Sequence, residues 1–199
     1  MNKNQNTENK IHHILMITDT QLITDQLRKR LIDNSEDRAK IITPKDHSVT
    51  PLNNQRETLY HIDLNQASEL TDLIGDQTFD TIYFNLTDHL KSINLMIPVL
   101  KKHQIQHIIL ILNNQEPQNN PQVESITHLI KNGQIPYLII RTARLNKNDL
   151  LSYQVVKNAQ PVNDSSVSMV SVADLAFQAI EYPQLHADTD LGIAQLPYK

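Results

Sequence analysis

A doubly wound α/β fold, a parallel sheet with helices on both faces, follows from three features of this 199-residue chain. Short apolar runs of strand length recur along it. The stretches between them switch to helical spacing. Several runs, His107–Leu112 (HIILIL) above all, show no polar alternation. A strand without alternation is buried on both faces, which is how the strands of a parallel sheet covered by crossover helices read.

Element by element, Ile11–Ile17 (IHHILMI) predicts the first strand, and Thr18–Asn34 a helix with Leu22, Ile23, Leu27 and Leu31 along one side. Arg38–Thr43 is a second strand stopped by Pro44, and Thr58–Leu64 a third. Asn65–Ile74 reads as a helix closed near Gly75. Phe79–Leu86 is the fourth strand, followed by a helix over Lys91–His103 that Pro98 should kink or shorten. His107–Leu112 is the fifth strand, Pro121–Lys131 a helix with proline at its first position, and Tyr137–Thr142 the sixth strand. Beyond Leu145 the pattern changes. Tyr153–Val156 reads as a short strand, Asn158–Ser168 as polar loop, and Val172–Glu181 as a helix opened by Ser171 with Asp174 at capping-box spacing. A final strand includes Gly192–Leu196. The expected organisation is a disordered tail over 1–10 and one domain over 11–199, with 145–199 as a small C-terminal cap.

Composition narrows the function classes. There is no Cys, hence no disulfide framework, thiolate nucleophile or Cys-based zinc or iron–sulfur site. A net charge of −4 lacks the positive field that nucleic-acid backbone binding draws on. Met1–Lys10 is almost wholly polar, and no apolar run approaches the roughly 18 residues of a membrane span. The expectation is a cytoplasmic protein that binds neither nucleic acid nor membrane, with a small-molecule substrate or a protein as partner. Only three glycines occur, Gly75, Gly133 and Gly192. Phosphate-cradling loops use glycine for close approach and positive φ, so this scarcity counts against a nucleotide site.

Several separated segments share a pattern. They are Ile14–Leu31, His61-Ile62-Asp63-Leu64, Thr81–Leu86, Val99–Leu112 (VLKKHQIQHIILIL), Glu124–Leu145 (ESITHLIKNGQIPYLIIRTARL) and Val170–Ala176 (VSVADLA). Together they resemble the atypical short-chain dehydrogenase/reductase families, in particular the NAD(P)H-binding group that includes NmrA-like and flavin-reductase-like proteins. The resemblance implies a Rossmann-like sheet, NADP or NAD as cofactor, and an oxidoreductase acting on a small electrophile or a flavin. It would place dinucleotide contacts at Thr18, Thr20, Gln21, Leu22 and Ile23 in the first turn, and at Thr43 and Lys45 past strand two. It adds Asp63 and Leu64 beside the adenine, Asn85 and Leu86 after strand four, Asn113 after strand five and Arg141 at the end of strand six.

The departures from that pattern are specific. The family's three loop glycines fall at Thr18, Gln21 and Thr24. The first glycine serves the tight turn, the second the approach of pyrophosphate and the third helix-to-strand packing. Gln21 should therefore put a side chain where phosphate would sit. Thr18-Asp19-Thr20-Gln21 has capping-box spacing, with Ile17 and Leu22 placed as a hydrophobic staple. Asp19 would add a negative charge at the positive end of the helix dipole. A self-capped loop that binds dinucleotide weakly or not at all is the expectation.

Catalytic residues are harder to place. The family's Ser position holds Asn113, and Asn114–Val123 contains neither Tyr nor Lys. Tyr153 and Lys157 have the right spacing but lie on a β-prone stretch, where the two side chains stand roughly 13 Å apart. No catalytic residue can be assigned. The adjacent His12 and His13 point to opposite faces, and no third ligand converges on either, so no metal site is expected. Ser125, His128 and Glu124 read as an exposed polar face, and Arg28, Lys29 and Arg30 as complements to a helix C-terminus. Arg141, at the carboxyl edge of the sheet, is the strongest single functional candidate, with a carboxylate such as Glu124 as its structural partner. Two functions stay open: an NAD(P)H-dependent oxidoreductase, or a non-catalytic regulatory or interaction relative that has lost the dinucleotide and needs no cofactor.

Overall fold

A computed structural model describes residues 10–113, 120–157 and 165–195. Residues 1–9 of the tail expected over 1–10, residues 158–164 of the expected polar loop, and Leu196 lie outside the described residues.

The strands are β1 (His13–Thr18), β2 (Arg38–Pro44), β3 (Glu57–Ile62), β4 (Thr81–Asn85), β5 (His107–Leu112), β6 (Tyr137–Thr142), β7 (Arg144–Asn146), β8 (Gln154–Lys157), β9 (Ser166–Ser168) and β10 (Thr189–Ala194). The helices are α1 (Leu22–Asn34), α2 (Ala67–Ile74), α3 (Ile93–Leu100), α4 (Pro121–Lys131) and α5 (Met169–Glu181). Eight strands form one sheet in the order β3-β2-β1-β4-β5-β6-β10-β8. Every pairing is parallel except that of the edge strand β8 with β10. β7 and β9 make a separate two-stranded ribbon. The 3-2-1-4-5-6 core is the doubly wound order, and its strand sequence reverses between β1 and β4.

Two apolar layers account for the unalternating strands. Ile14 and Met16 pack in the layer that holds Leu27 of α1 and Val172 and Ala176 of α5. Leu15 and Ile17 pack in the other, with Leu70, Ile97 and Ile126 from α2, α3 and α4. The inner strands thus bury both sets of side chains, while the edge strands β3 and β8 leave side chains exposed. The segment after Leu145 adds β8, α5 and β10 to this frame, and β9, which pairs with β7 in the ribbon.

Local chemistry shifts several expected boundaries. α3 is shorter than expected: it ends at Leu100 with Pro98 inside it, preceded by a single 3-10 turn over Leu90–Ser92. α4 begins with proline at N1, and the Asn120 side chain accepts from Gln122 N–H. α5 opens a turn earlier than expected. Its N-cap is Ser168, whose hydroxyl accepts from Ser171 N–H, so Ser171 is the capped residue and not the cap. The basic run on α1 also has a different role. Arg28 is fully buried and donates bidentately to Glu57, at 2.8 and 2.9 Å, while Arg30 pairs with Asp174 of α5. These residues pin α1 to β3 and to α5, and no basic residue occupies the last turn of α1.

Candidate functional site

At the β1/β4 switch point a cavity of about 460 Å³ opens beyond the carboxyl ends of the strands, lined by Asp19, Thr20, Leu22, Thr87, Asn113 and Arg144 among others. The volume lies within the range of small-molecule sites, and the location is where doubly wound sheets bind ligands. A groove of similar size, about 500 Å³, lies toward the amino ends of β1 and β2, beside Arg38 and Lys40. Topology favours the first.

The expected self-cap is not formed. Thr18 is the last residue of β1, four positions before the helix, so it cannot serve as its N-cap. Its hydroxyl donates to Thr20 O at 2.6 Å and lies 3.1 Å from the Thr24 hydroxyl. Gln21 occupies the N-cap position with no side-chain cap bond, and its amide turns away to the carbonyl of Ser48. It does not line the cavity. Nor is there a staple, because Ile17 is buried in the core while Leu22 is 52% exposed on the cavity wall. The first-turn N–H groups of α1 have no intrahelical acceptor, so the positive end of this helix meets the cavity without a side-chain cap.

The turn also does without its glycines. Among the described residues, positive φ occurs at Gly75, Gln134 and Asp188 only, so Thr18, Gln21 and Thr24 sit in conformations open to any L-residue. Where the third glycine would ease packing, Thr24 is buried and polar. Asn85 Nδ2 donates to its hydroxyl at 3.1 Å. A hydroxyl network linking β1, α1 and β4 replaces close contact of backbone.

Asp19 does not cap α1 either. Its carboxylate, 1% exposed, crosses to the loop after β4, where it accepts from the N–H groups of Thr87 and His89, each at 2.8 Å, and lies 3.2 Å from His89 Nδ1. This brace shapes the cavity floor. It also leaves a negative residue on the wall.

The remaining expected contacts divide into two groups. Thr20, Leu22 and Asn113 line the cavity, and Asn113 Oδ1 is buried there without a hydrogen-bond partner. Ile23, Leu64 and Leu86 are core side chains. Thr43 is buried, its hydroxyl 2.8 Å from His61 Nδ1. Lys45 donates to Glu69 at 2.7 Å, and the Asp63 carboxylate accepts from Asn65 N–H and from the Gln66 side chain. Those hydrogen bonds hold the Asp63 carboxyl below its ordinary range. Arg141 lies outside the cavity wall. Its guanidinium grips Asp190 of β10 at 2.7 and 3.0 Å, with Lys131 on the same carboxylate, so its partner is Asp190 and not Glu124. Asp190, nearly buried, is held below the carboxylate range by those two cations in spite of its burial. Sequence reasoning missed Arg144, the cation on the wall, because β7 is three residues long and has no periodicity to read.

The Tyr153/Lys157 spacing builds no catalytic pair. Lys157 lies on the exposed edge strand, while the Tyr153 hydroxyl donates to Asp174 Oδ2 at 2.8 Å. Burial and that carboxylate push the Tyr153 hydroxyl above its ordinary range, which makes it a poor acid. Ser125, His128 and Glu124 are exposed on α4.

The comparisons with known proteins agree with this fold. A family model described as NAD(P)H-binding matches residues 23–183, so β1 and the first turn lie outside the matched stretch. No curated protein matches the sequence. Among solved structures, the chain is similar to a Rossmann-fold NAD(P)-binding family protein from Shigella flexneri, with 21% identity, TM-score 0.81, and coverage of 96% of this chain and 100% of that one. A wide-type short-chain dehydrogenase/reductase from Veillonella parvula, solved in complex with NADP, gives 13% identity, TM-score 0.77, and coverage of 93% and 95%. An anaerobillin reductase from Escherichia coli gives 13% identity, TM-score 0.77, and coverage of 94% and 98%. At these identities the likeness is one of fold. No helix among the described residues is long and apolar enough to cross a membrane.

Proposed function

This chain belongs to the NAD(P)H-binding family whose model it matches, and from that premise we propose that it binds a nicotinamide dinucleotide weakly at the β1/β4 cleft and serves as a reductase of a small acceptor. The observation that carries this reading is the α1 N-terminus, which meets a 460 Å³ cavity without a side-chain cap. Backbone N–H groups and the helix dipole suit a pyrophosphate there, beside Thr20 and Leu22. Asn113 Oδ1 offers an acceptor for a ligand donor, and Arg144 a cation for a phosphate or a substrate carboxylate.

Two features hold the affinity down. Asp19 and Asp88 line the same cavity, and Lys45, the basic residue nearest the expected 2′-phosphate position, is paired with Glu69. When bound, the cofactor supplies a hydride. The described residues of the wall include no Tyr, Lys or Ser to donate a proton, which favours an acceptor that takes hydride without a protein acid, such as a flavin or quinone. The same lack supports the second reading, a non-catalytic regulatory or interaction protein on this scaffold.

Isothermal titration with NADPH and with NADH separates the two. Dissociation constants of roughly 10–300 μM, abolished by Leu22→Glu, are expected. No heat of binding at about 1 mM ligand overturns cofactor binding and leaves the second reading.

A further inference from the structure

At the opposite end of the sheet, three residues from distant parts of the sequence converge. His12 precedes β1, Asp37 precedes β2, and Glu181 ends α5. His12 Nδ1 lies 3.2 Å from Asp37 Oδ1 and 4.0 Å from Glu181 Oε1, and one ligand atom from each residue falls within 4.8 Å of the others. We propose that His12, Asp37 and Glu181 form a binding site for a single divalent metal ion of the zinc class, independent of the dinucleotide cleft.

The donor set is one imidazole nitrogen and two carboxylate oxygens, which suits zinc with water as a fourth ligand. Tetrahedral bonds of about 2.0–2.1 Å place ligand atoms about 3.3 Å apart. The observed 3.2 Å meets that spacing, the 4.0 Å contact needs a closure of under 1 Å, and the carboxylate pair, within 4.8 Å, must also draw together.

Two features of these carboxylates suit a cation ligand. Asp37 is 2% exposed and its Oδ2 has no hydrogen-bond partner, nor does the buried Oε1 of Glu181. Asp37 Oδ1, by contrast, accepts His12 N–H at 2.8 Å, which fixes the carboxylate beside the imidazole. Among the described residues no Lys or Arg pairs with either carboxylate; Arg56 reaches only the backbone carbonyl of Asp37, and Lys10 is taken by Asp80. Two facing carboxylates with one imidazole between them are short of positive charge, and buried charge without a partner is costly. A proton shared by Asp37 and Glu181 is the alternative way to meet that need, and a metal ion would displace it.

The expected consequence is structural. One ion would tie the C-terminus of α5 to the starts of β1 and β2, so binding should raise thermal stability by mass action.

The test uses the full chain, stripped with chelator and titrated with Zn²⁺ alone by calorimetry, with Co²⁺ as a spectroscopic substitute. The site predicts one Zn²⁺ per chain with a dissociation constant below about 10 μM. It also predicts a tetrahedral Co²⁺ visible band and a Zn²⁺-dependent rise in melting temperature that chelator reverses. Glu181→Gln and His12→Gln should each weaken binding at least about tenfold, while His47→Gln, on a distant loop, leaves it unchanged. No uptake below about 100 μM overturns the proposal, as does uptake that survives both ligand substitutions. Should either variant fold poorly, absence of the Co²⁺ band in the unaltered protein overturns it equally. None of these readouts depends on NAD(P)H, so failure here leaves the dinucleotide reading intact.

Discussion

Asp19 and Asp37 lie at opposite ends of the same sheet, at nearly equal depth, with 1% and 2% of their side chains exposed. Their surroundings differ in kind. Both oxygens of Asp19 accept backbone N–H groups from the loop after β4. Asp37 has one oxygen so satisfied, and its other lacks a partner beside a second carboxylate. The contrast extends along both edges. At the carboxyl edge the unpartnered buried atoms are neutral, Asn85 Oδ1, Asn113 Oδ1 and Thr142 Oγ1. At the amino edge they include ionisable groups: Asp37, Glu181 and both ring nitrogens of His107. One end of the sheet has its charges settled by peptide dipoles. The other holds buried ionisable atoms that have no hydrogen-bond partner.

The largest expected effect breaks the settled end. Asp19→Ala removes a charged acceptor from two N–H groups and should cost about 3 kcal/mol in urea-induced unfolding. It should also loosen the cleft, with dinucleotide binding lost in the same sample.

At the unsettled end, burial lowers the His107 imidazole from its ordinary value to about 4. Because the folded value lies below the unfolded one, the unfolded chain takes up the proton first. Stability is therefore present above about pH 6.5 and falls as pH drops toward 4, by about 3 kcal/mol from this group. His107→Leu should flatten that part of the pH–stability curve. An unchanged slope would show that the buried ring is not its source.

A smaller effect sharpens the cleft. Arg144→Ala removes the cation of the wall and should weaken NADPH and NADH binding by roughly tenfold, about 1.4 kcal/mol, without altering stability. Gln21→Gly should change affinity little, because the Gln21 side chain already turns toward Ser48. The smallest is Lys45→Ala. The Lys45–Glu69 pair is solvent-facing, so its loss should alter stability by less than about 0.5 kcal/mol. NADPH affinity should follow NADH affinity unchanged. A selective loss of NADPH binding would show that Lys45 leaves Glu69 for the 2′-phosphate.

Much of the frame was legible in the sequence because its signals are local. The β5, α4 and β6 boundaries coincide with expectation, set by an unbroken apolar run, an N1 proline and a second apolar run. The first-turn motif misled for an instructive reason. Thr18-x-x-Gln21 has the spacing of a capping box, but pairing of β1 with β4 through Thr18 and Asn85 carries the strand across that position. The hydroxyl then serves the turn and Thr24. Sheet pairing outweighed a local cap.

By itself, then, the sequence determined the doubly wound sheet, its family and the absence of glycine from the turn after β1, since each is written in contiguous residues and short periods. Only the tertiary structure decided what fills the space of those glycines, where Arg28, Arg141 and Asp19 direct their charges, and that His12, Asp37 and Glu181 meet. Those outcomes depend on which side chains the sheet order brings together from positions far apart in sequence. Burial sharpens them, because a charge removed from water must find a partner within a few ångströms, and only the fold supplies one.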